Sequence, residues 1–124
     1  MERVIHIDGR DVPFRATAAI PRLYRIKFGR DIMQDMKAIL DDVHAAKNGG
    51  KPIPLKTLEV FENVAYLMAK HADPGLEAKT PEEWLDGFST FSIYVVFPQL
   101  LELWTANNAA LSAPKKKRTQ STGK

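Results

Sequence analysis

The chain has 124 residues, 44% of them hydrophobic, and contains no cysteine. This length suits one compact core rather than two domains, and the lack of cysteine excludes disulfide frameworks and thiolate metal sites. No apolar run is long enough to span a membrane, and the N-terminus lacks the apolar core of a signal peptide.

The formal net charge of +3 is unevenly distributed along the chain. The last twelve residues contain five lysines and arginines and no acid, so residues 1–112 carry a net charge of −2. We expect residues 113–124 to form a disordered basic tail, because they offer no apolar side chain that would anchor them. Residues 1–112 are expected to form a single domain.

The N-terminal residues show the pattern of a β-hairpin. Two short extended runs, 3–7 and 12–16, the first rich in β-branched residues, flank Asp8-Gly9, a dipeptide that favours a tight turn. Pro13 cannot donate a hydrogen bond, so the second strand is expected to be irregular or to face solvent on one side. Thr17 is suited to capping the first helix, which should begin close to Pro21.

Residues 20–43 are expected to organise the fold as two helices that meet at a corner. Gly29 suits the left-handed conformation that ends the first helix, and Asp31 suits the cap of the second. Leu23, Ile26 or Lys27, and Arg30 follow the periodicity of the first helix. The residues expected to support this structural corner are Phe28, Gly29, Asp31, Phe61 and Trp84.

The remaining sequence predicts further helices. Periodicity predicts a second helix over 31–46 and a third that begins at Leu55 and ends before residues 73–75. Residues 80–83 predict a short helix with a capping box, in which Thr80 caps the start and Glu83 reaches back to it. Residues 88–111 fit a strand at 92–97 by propensity, but their length favours a helix interrupted at Pro98. The predicted fold is mainly α with a small N-terminal β-hairpin, an α+β class.

The sequence shows no pattern typical of an enzyme. His6, His44 and His71 fall in separate elements without a metal ligand at helical spacing. Residues 49–50 lack the Lys-Ser/Thr pair that should follow, and the strand that should precede, in a phosphate-binding loop. We therefore expect a protein with no catalytic, cofactor-binding or metal-binding residues.

Two interaction surfaces are indicated instead. Aromatic residues are numerous for a small helical body, and those near its end are expected to bind a partner segment or a second copy. These candidate partner-binding residues are Phe88, Phe91, Tyr94, Phe97, Leu101 and Trp104. The alternative is a small nucleic-acid-binding regulator that uses the basic residues of 15–30 and the tail. The acids that follow at 31–42 favour internal neutralisation of this charge.

Four segments resemble the tail assembly chaperones of long-tailed bacteriophages and prophages of Gram-positive bacteria. They are Ile7-Asp8-Gly9-Arg10-Asp11-Val12-Pro13-Phe14, Leu23-Tyr24-Arg25-Ile26-Lys27-Phe28-Gly29-Arg30-Asp31-Ile32, Phe61-Glu62-Asn63-Val64-Ala65-Tyr66-Leu67-Met68-Ala69-Lys70 and Glu83-Trp84-Leu85-Asp86. They follow one another in the order of that family and cover most of residues 5–86.

The resemblance implies a mainly helical, non-enzymatic protein of the bacterial host cytoplasm that is absent from the mature virion. Such proteins coat the tape-measure protein and help to recruit the major tail protein. The family also makes a longer product by ribosomal frameshifting. We expect that shift near Lys115–Lys117, together with self-association and association with the longer form.

Overall fold

The computed structural model describes the backbone of residues 1–112 and the side chains of residues 1–108. Two strands precede five helices in these residues, which confirms the predicted α+β class. The elements are β1 (Glu2–Ile7), β2 (Arg10–Arg15), α1 (Ile20–Phe28), α2 (Ile32–Gly49), α3 (Leu55–Ala72), α4 (Pro81–Leu85) and α5 (Ile93–Ser112). The predicted tail and the predicted frameshift position at Lys115–Lys117 lie outside the described residues.

The predicted hairpin forms around a two-residue turn. Asp8 and Gly9 have φ angles of 53° and 77°, the left-handed values that this turn requires and that aspartate and glycine tolerate best. The strands pair antiparallel, from Ile7 opposite Arg10 to Glu2 opposite Arg15. One face of the hairpin is buried against α3 and α5.

The corner between α1 and α2 has the predicted caps. Gly29 ends α1 with a φ of 68°, and the carboxylate of Asp31 accepts a 2.8 Å hydrogen bond from the amide of Met33. A buried contact that the sequence did not predict joins the two helices. Asp35 accepts hydrogen bonds from the Tyr24 hydroxyl at 2.6 Å and from Arg30 at 2.8 Å through both oxygens.

Several details of the corner prediction are wrong. Ile26 is 72% exposed, because the buried face of α1 is the one that brings Ile20 and Tyr24 to the core. Phe28, one of the residues expected to support the corner, is only half-buried. Residues 20–43 are also not the centre of the fold, since α3 is the element that contacts β2 and each of the other helices.

Two predicted helix caps also differ from the structure. Thr17 does not cap α1, because Ala19 is the residue that precedes the first helical position. The Thr17 hydroxyl instead accepts a hydrogen bond from the Ala19 amide and contacts His71. In α4, Thr80 does accept a hydrogen bond from the Glu83 amide. However, Glu83 accepts from the amide of Lys79 instead of Thr80.

The last helix begins later than predicted. Residues 88–92 are not helical, and α5 starts at Ile93 and continues through Pro98. The competing strand over residues 92–97 does not form. In the middle of the chain, α2 extends to Gly49, beyond the predicted end, and stops where Gly50 takes a φ of 68°.

Candidate partner-binding surface

The predicted partner-binding residues divide by their exposure. Phe97 and Trp104 are buried, at 2% and 5% exposure, so they belong to the core and present no free surface. Tyr94 is 47% exposed. The other three residues are half-buried: Phe88, Phe91 and Leu101. The structure therefore does not bring the six side chains onto one exposed face.

Trp84 explains why Phe88 and Phe91 are half-buried. The ring centroids of these two phenylalanines lie 5.3 Å and 5.2 Å from that of Trp84, in edge-to-face arrangements. Phe91 also contacts the buried ring of Phe61 at 5.5 Å. Such contacts stabilise aromatic pairs beyond the area that they bury. Phe61 and Trp84, which we assigned to the corner, thus support an aromatic cluster next to the start of α5.

The first two turns of α5 carry an apolar outer face. Ile93, Val96 and Leu100 face the core, and the helical period of 3.6 residues then directs the other side chains outward. We call the outward set the α5 apolar surface, and its members are Tyr94, Val95, Pro98 and Leu101. Of these, the first three are exposed and Leu101 is half-buried.

Val95 is 53% exposed. Pro98 adds a second feature to the surface. It has no N–H, so the carbonyl of Tyr94 lacks the amide that would bond to it one turn later. The side chain of Gln99 donates to the neighbouring Val95 carbonyl at 3.0 Å.

The basic residues of the nucleic-acid alternative have different surroundings. Arg30 is committed to Asp35, and that ion pair raises the pKa of its guanidinium. Lys27 lies over the rings of Phe28 and Tyr66, at 5.9 Å and 5.7 Å from their centroids. Three arginines remain exposed without an ion pair to another described residue: Arg15, Arg22 and Arg25.

Two of the three histidines are engaged in structural contacts. His6 contacts Asp11 at 3.0 Å on the exposed side of the hairpin. His71 contacts the Thr17 hydroxyl at 2.9 Å, and burial, Arg15 and the N-terminal amine lower its pKa. Within residues 1–108, no three His, Cys, Asp or Glu side chains are grouped as a metal site would require.

A cleft of about 550 Å³ lies between β2, residues 73–78 and α4. Two of the carboxylates on its walls hold other groups, since Asp11 contacts His6 and Glu83 accepts from the Lys79 amide. Arg10 lies 4.2 Å above the ring of Phe88 and donates to a backbone carbonyl. The side chains of this cleft are arranged as packing and capping groups.

None of the helices in the described part of the chain is both long and apolar enough to cross a membrane. Comparison of the chain with protein-family models, with curated proteins and with solved structures finds no match.

Proposed function

We propose that this chain is a phage tail assembly chaperone that binds a helical segment of the tape-measure protein. The observation that carries the proposal is the α5 apolar surface, where Tyr94 and Val95 are exposed and the helix contains no charged residue before Glu102. The order of the four segments that resemble tail assembly chaperones supports the same function.

The chemistry of this surface suits an amphipathic helix. A helix recognised by a groove or a ridge lays its apolar stripe, spaced at three and four residues, on the exposed apolar side chains of the partner. Tyr94 offers both an apolar ring and a hydroxyl, the combination that is enriched in interfaces. The aromatic cluster below the helix, through Phe91 and Phe97 on Phe61, gives the surface a rigid support.

In this proposal the chain acts in the cytoplasm of a bacterial host and keeps the long tape-measure protein soluble before the tail tube polymerises around it. Recruitment of the major tail protein and the longer frameshift product belong to the same proposal. The chain is not an enzyme in this account and needs no cofactor.

The test is co-expression with helical fragments of the tape-measure protein encoded in the same genome. The wild-type chain should keep such a fragment in the soluble fraction and co-purify with it. The double variant Tyr94→Glu/Val95→Glu should bind at least about tenfold more weakly, because burying a carboxylate against an apolar stripe is costly.

A matched control places the same two charges elsewhere. Ile26 and Leu55 are also exposed apolar residues, at 72% and 83%, but lie on α1 and at the start of α3. The variant Ile26→Glu/Leu55→Glu should bind the fragment as the wild type does. Equal binding by both double variants would remove the α5 apolar surface from the proposal.

The nucleic-acid alternative rests on Arg15, Arg22 and Arg25. It predicts binding to DNA or RNA that weakens steeply as salt is added. The logarithm of the binding constant should fall linearly with the logarithm of the salt concentration, with a slope of about −1 for each phosphate contacted. The net charge of −2 over residues 1–112 opposes such binding. Binding that is independent of salt, or absent in the chain ending at Ser112, would exclude these arginines as the site.

A further inference from the structure

Along the hairpin, opposite residues alternate between hydrogen-bonded and non-hydrogen-bonded pairs. This alternation identifies which backbone groups point away from the partner strand. A two-residue turn makes Ile7 and Arg10 a hydrogen-bonded pair. The same alternation reaches Met1 and Ala16, whose amides and carbonyls bond to each other at 2.9 Å in both directions. The backbone groups of Glu2, Val4 and His6 must therefore point away from β2.

These outward groups form an open strand edge. No described residue bonds to the backbone of Glu2, Val4 or His6, and their side chains are exposed. Beside the start of β1, residues 1–3 and three residues of α5, Glu102, Leu103 and Ala106, line an open cleft of about 310 Å³, and the Arg3 side chain bonds to Glu102 across it. Unpaired N–H and C=O groups in a row are a template for pairing with another strand.

The opposite edge of the hairpin is blocked by its sequence. By the same alternation, Asp11, Pro13 and Arg15 point outward from β2, opposite His6, Val4 and Glu2. Pro13 has no N–H to offer at the centre of that edge, and proline is a common device for protecting strand edges. Within the described residues, one edge of the sheet is thus protected and the edge of β1 is left open.

We propose that the edge of β1 pairs antiparallel with β1 of a second copy of this chain, about a two-fold axis at Val4. The hairpins would join into a four-stranded sheet in the order β2-β1-β1-β2. Three hydrogen-bonded pairs would form: Val4 with the partner's Val4, and Glu2 with the partner's His6 twice. Each pair contributes two backbone hydrogen bonds, about six in total.

Charge complementarity favours this partner and this register. Within one hairpin, Glu2 lies opposite Arg15 and His6 opposite Asp11. Pairing about Val4 therefore creates two equivalent rows of side chains across the four strands. Each row runs Asp11, His6, the partner's Glu2 and the partner's Arg15, so that acidic and basic side chains alternate. Unlike groups placed opposite each other stabilise neighbouring strands.

The central row of the same face is apolar. Val4 lies opposite Pro13 in the hairpin, so the row contains Pro13, Val4 and the same two residues of the partner. Val4 is 58% exposed in one copy and would be covered in the pair. A register shifted by two residues instead places Val4 opposite a charged or titratable side chain, either Glu2 or His6.

This inference is independent of the proposed function, since it rests on the backbone of β1 and uses none of the residues of the α5 apolar surface. It is tested by sedimentation velocity of the full chain over a range of concentrations, with Val4→Pro and Val4→Thr as a matched pair of variants. Proline at position 4 removes only the outward amide and leaves the bonds between β1 and β2 intact, as Pro13 does opposite. Val4→Thr keeps the amide and the branched side chain.

We expect the full chain and Val4→Thr to dimerise, and Val4→Pro to dimerise at least about tenfold more weakly, because both central hydrogen bonds are lost. Amide hydrogen exchange locates the contact. Exchange at Glu2, Val4 and His6 should slow as the concentration rises, while exchange at Arg3 and Ile5 should be slow throughout. Glu2→Lys, which opposes like charges across the axis, should weaken the dimer without loss of the hairpin.

Three results would overturn the proposal. One is a chain that stays monomeric at every concentration. Another is a dimer whose stability does not change in Val4→Pro or Glu2→Lys and whose amides at Glu2, Val4 and His6 exchange fast. Such a dimer would use another surface. The third is slow exchange at these amides that does not depend on concentration and disappears on truncation after Ser112, which would assign the edge to the chain's own C-terminal segment.

Discussion

At the scale of single residues, Asp35 holds the α1–α2 corner together. Burial opposes its ionisation, but hydrogen bonds from Arg30 and Tyr24 outweigh burial and hold its pKa below the usual range. Asp35→Asn removes the charge and leaves Arg30 without a counter-ion, so we expect a loss of about 2 kcal/mol in the free energy of unfolding. Urea unfolding of the variant measures this loss.

The control for Asp35 is Asp41→Asn, because Asp41 pairs with Lys37 on the exposed face of α2 and such pairs contribute little. The pH dependence follows from the lowered pKa. The contribution of Asp35 is present above its unfolded pKa of about 3.9 and is lost as the pH falls through its folded value. Equal losses in the two variants would contradict this role of Asp35.

His71 gives the chain a second, milder dependence on pH. Burial, Arg15 and the N-terminal amine lower its pKa, so the folded state favours the neutral ring that contacts Thr17. The resulting stability is present above the unfolded pKa of about 6.5 and is lost as the pH falls through the folded value. We expect the free energy of unfolding to decrease between about pH 7 and pH 5.

His71→Gln should flatten this part of the pH profile, while His44→Gln should leave it unchanged, because His44 is exposed on α2. Thermal unfolding of the three chains across this pH range provides the comparison. A slope that persists in His71→Gln would assign the effect to another group.

At the scale of elements, Gly29 and Gly49 test whether backbone conformation determines the helix ends. A Cβ atom at either position would meet no heavy atom within 4 Å, so the difference between them is conformational. Gly29 has a φ of 68°, and Gly29→Ala should lower the free energy of unfolding by about 1 kcal/mol. Gly49 lies at the end of α2, and Gly49→Ala should raise it by about 0.5 kcal/mol.

Chemical denaturation of both alanine variants measures the two changes. A neutral Gly29→Ala would mean that α1 can end without a left-handed residue. Both alanine side chains would lie in open space, so packing alone predicts the same change in the free energy of unfolding for both variants. Changes of opposite sign would therefore have to come from backbone conformation.

Helix and turn positions that depend on local chemistry could be predicted from the sequence. Asp8-Gly9, Gly29 and Asp31 each impose a backbone conformation or a cap that neighbouring residues do not change. The buried face of α1 could not be predicted, because it follows from the bond between Tyr24 and Asp35, which are eleven residues apart. A tyrosine with its hydroxyl on a buried carboxylate gives no apolar periodicity to detect.

The candidate surface was predicted only in part for a similar reason. Aromatic content indicated the segment that contains Tyr94 but not which side of the helix faces the core. That side is set by the contacts of Phe97 with Phe61 and of Phe91 with Trp84. The start of α5 at Ile93 also matters, because Phe88 and Phe91 precede the helix and therefore do not mark its buried face.

At the scale of the whole molecule, α3 joins the parts that carry the two proposed interactions. It contacts β2 of the hairpin on one side and α5 on another, so the open edge of β1 and the α5 apolar surface belong to one body. A second copy on the edge of β1 and a helical client on α5 would use different residues of this body. This arrangement would let paired copies hold a long client at more than one position.

Hydrogen exchange followed by mass spectrometry, with and without a helical tape-measure fragment, is the most direct measurement of the central claim. The account predicts that the fragment slows exchange in peptides covering residues 91–101, because the bound helix covers Tyr94 and Val95 and stabilises the first turns of α5. Peptides from α1 should exchange at unchanged rates. Slower exchange confined to α1 or the hairpin, or no change anywhere at saturating fragment, would contradict the account.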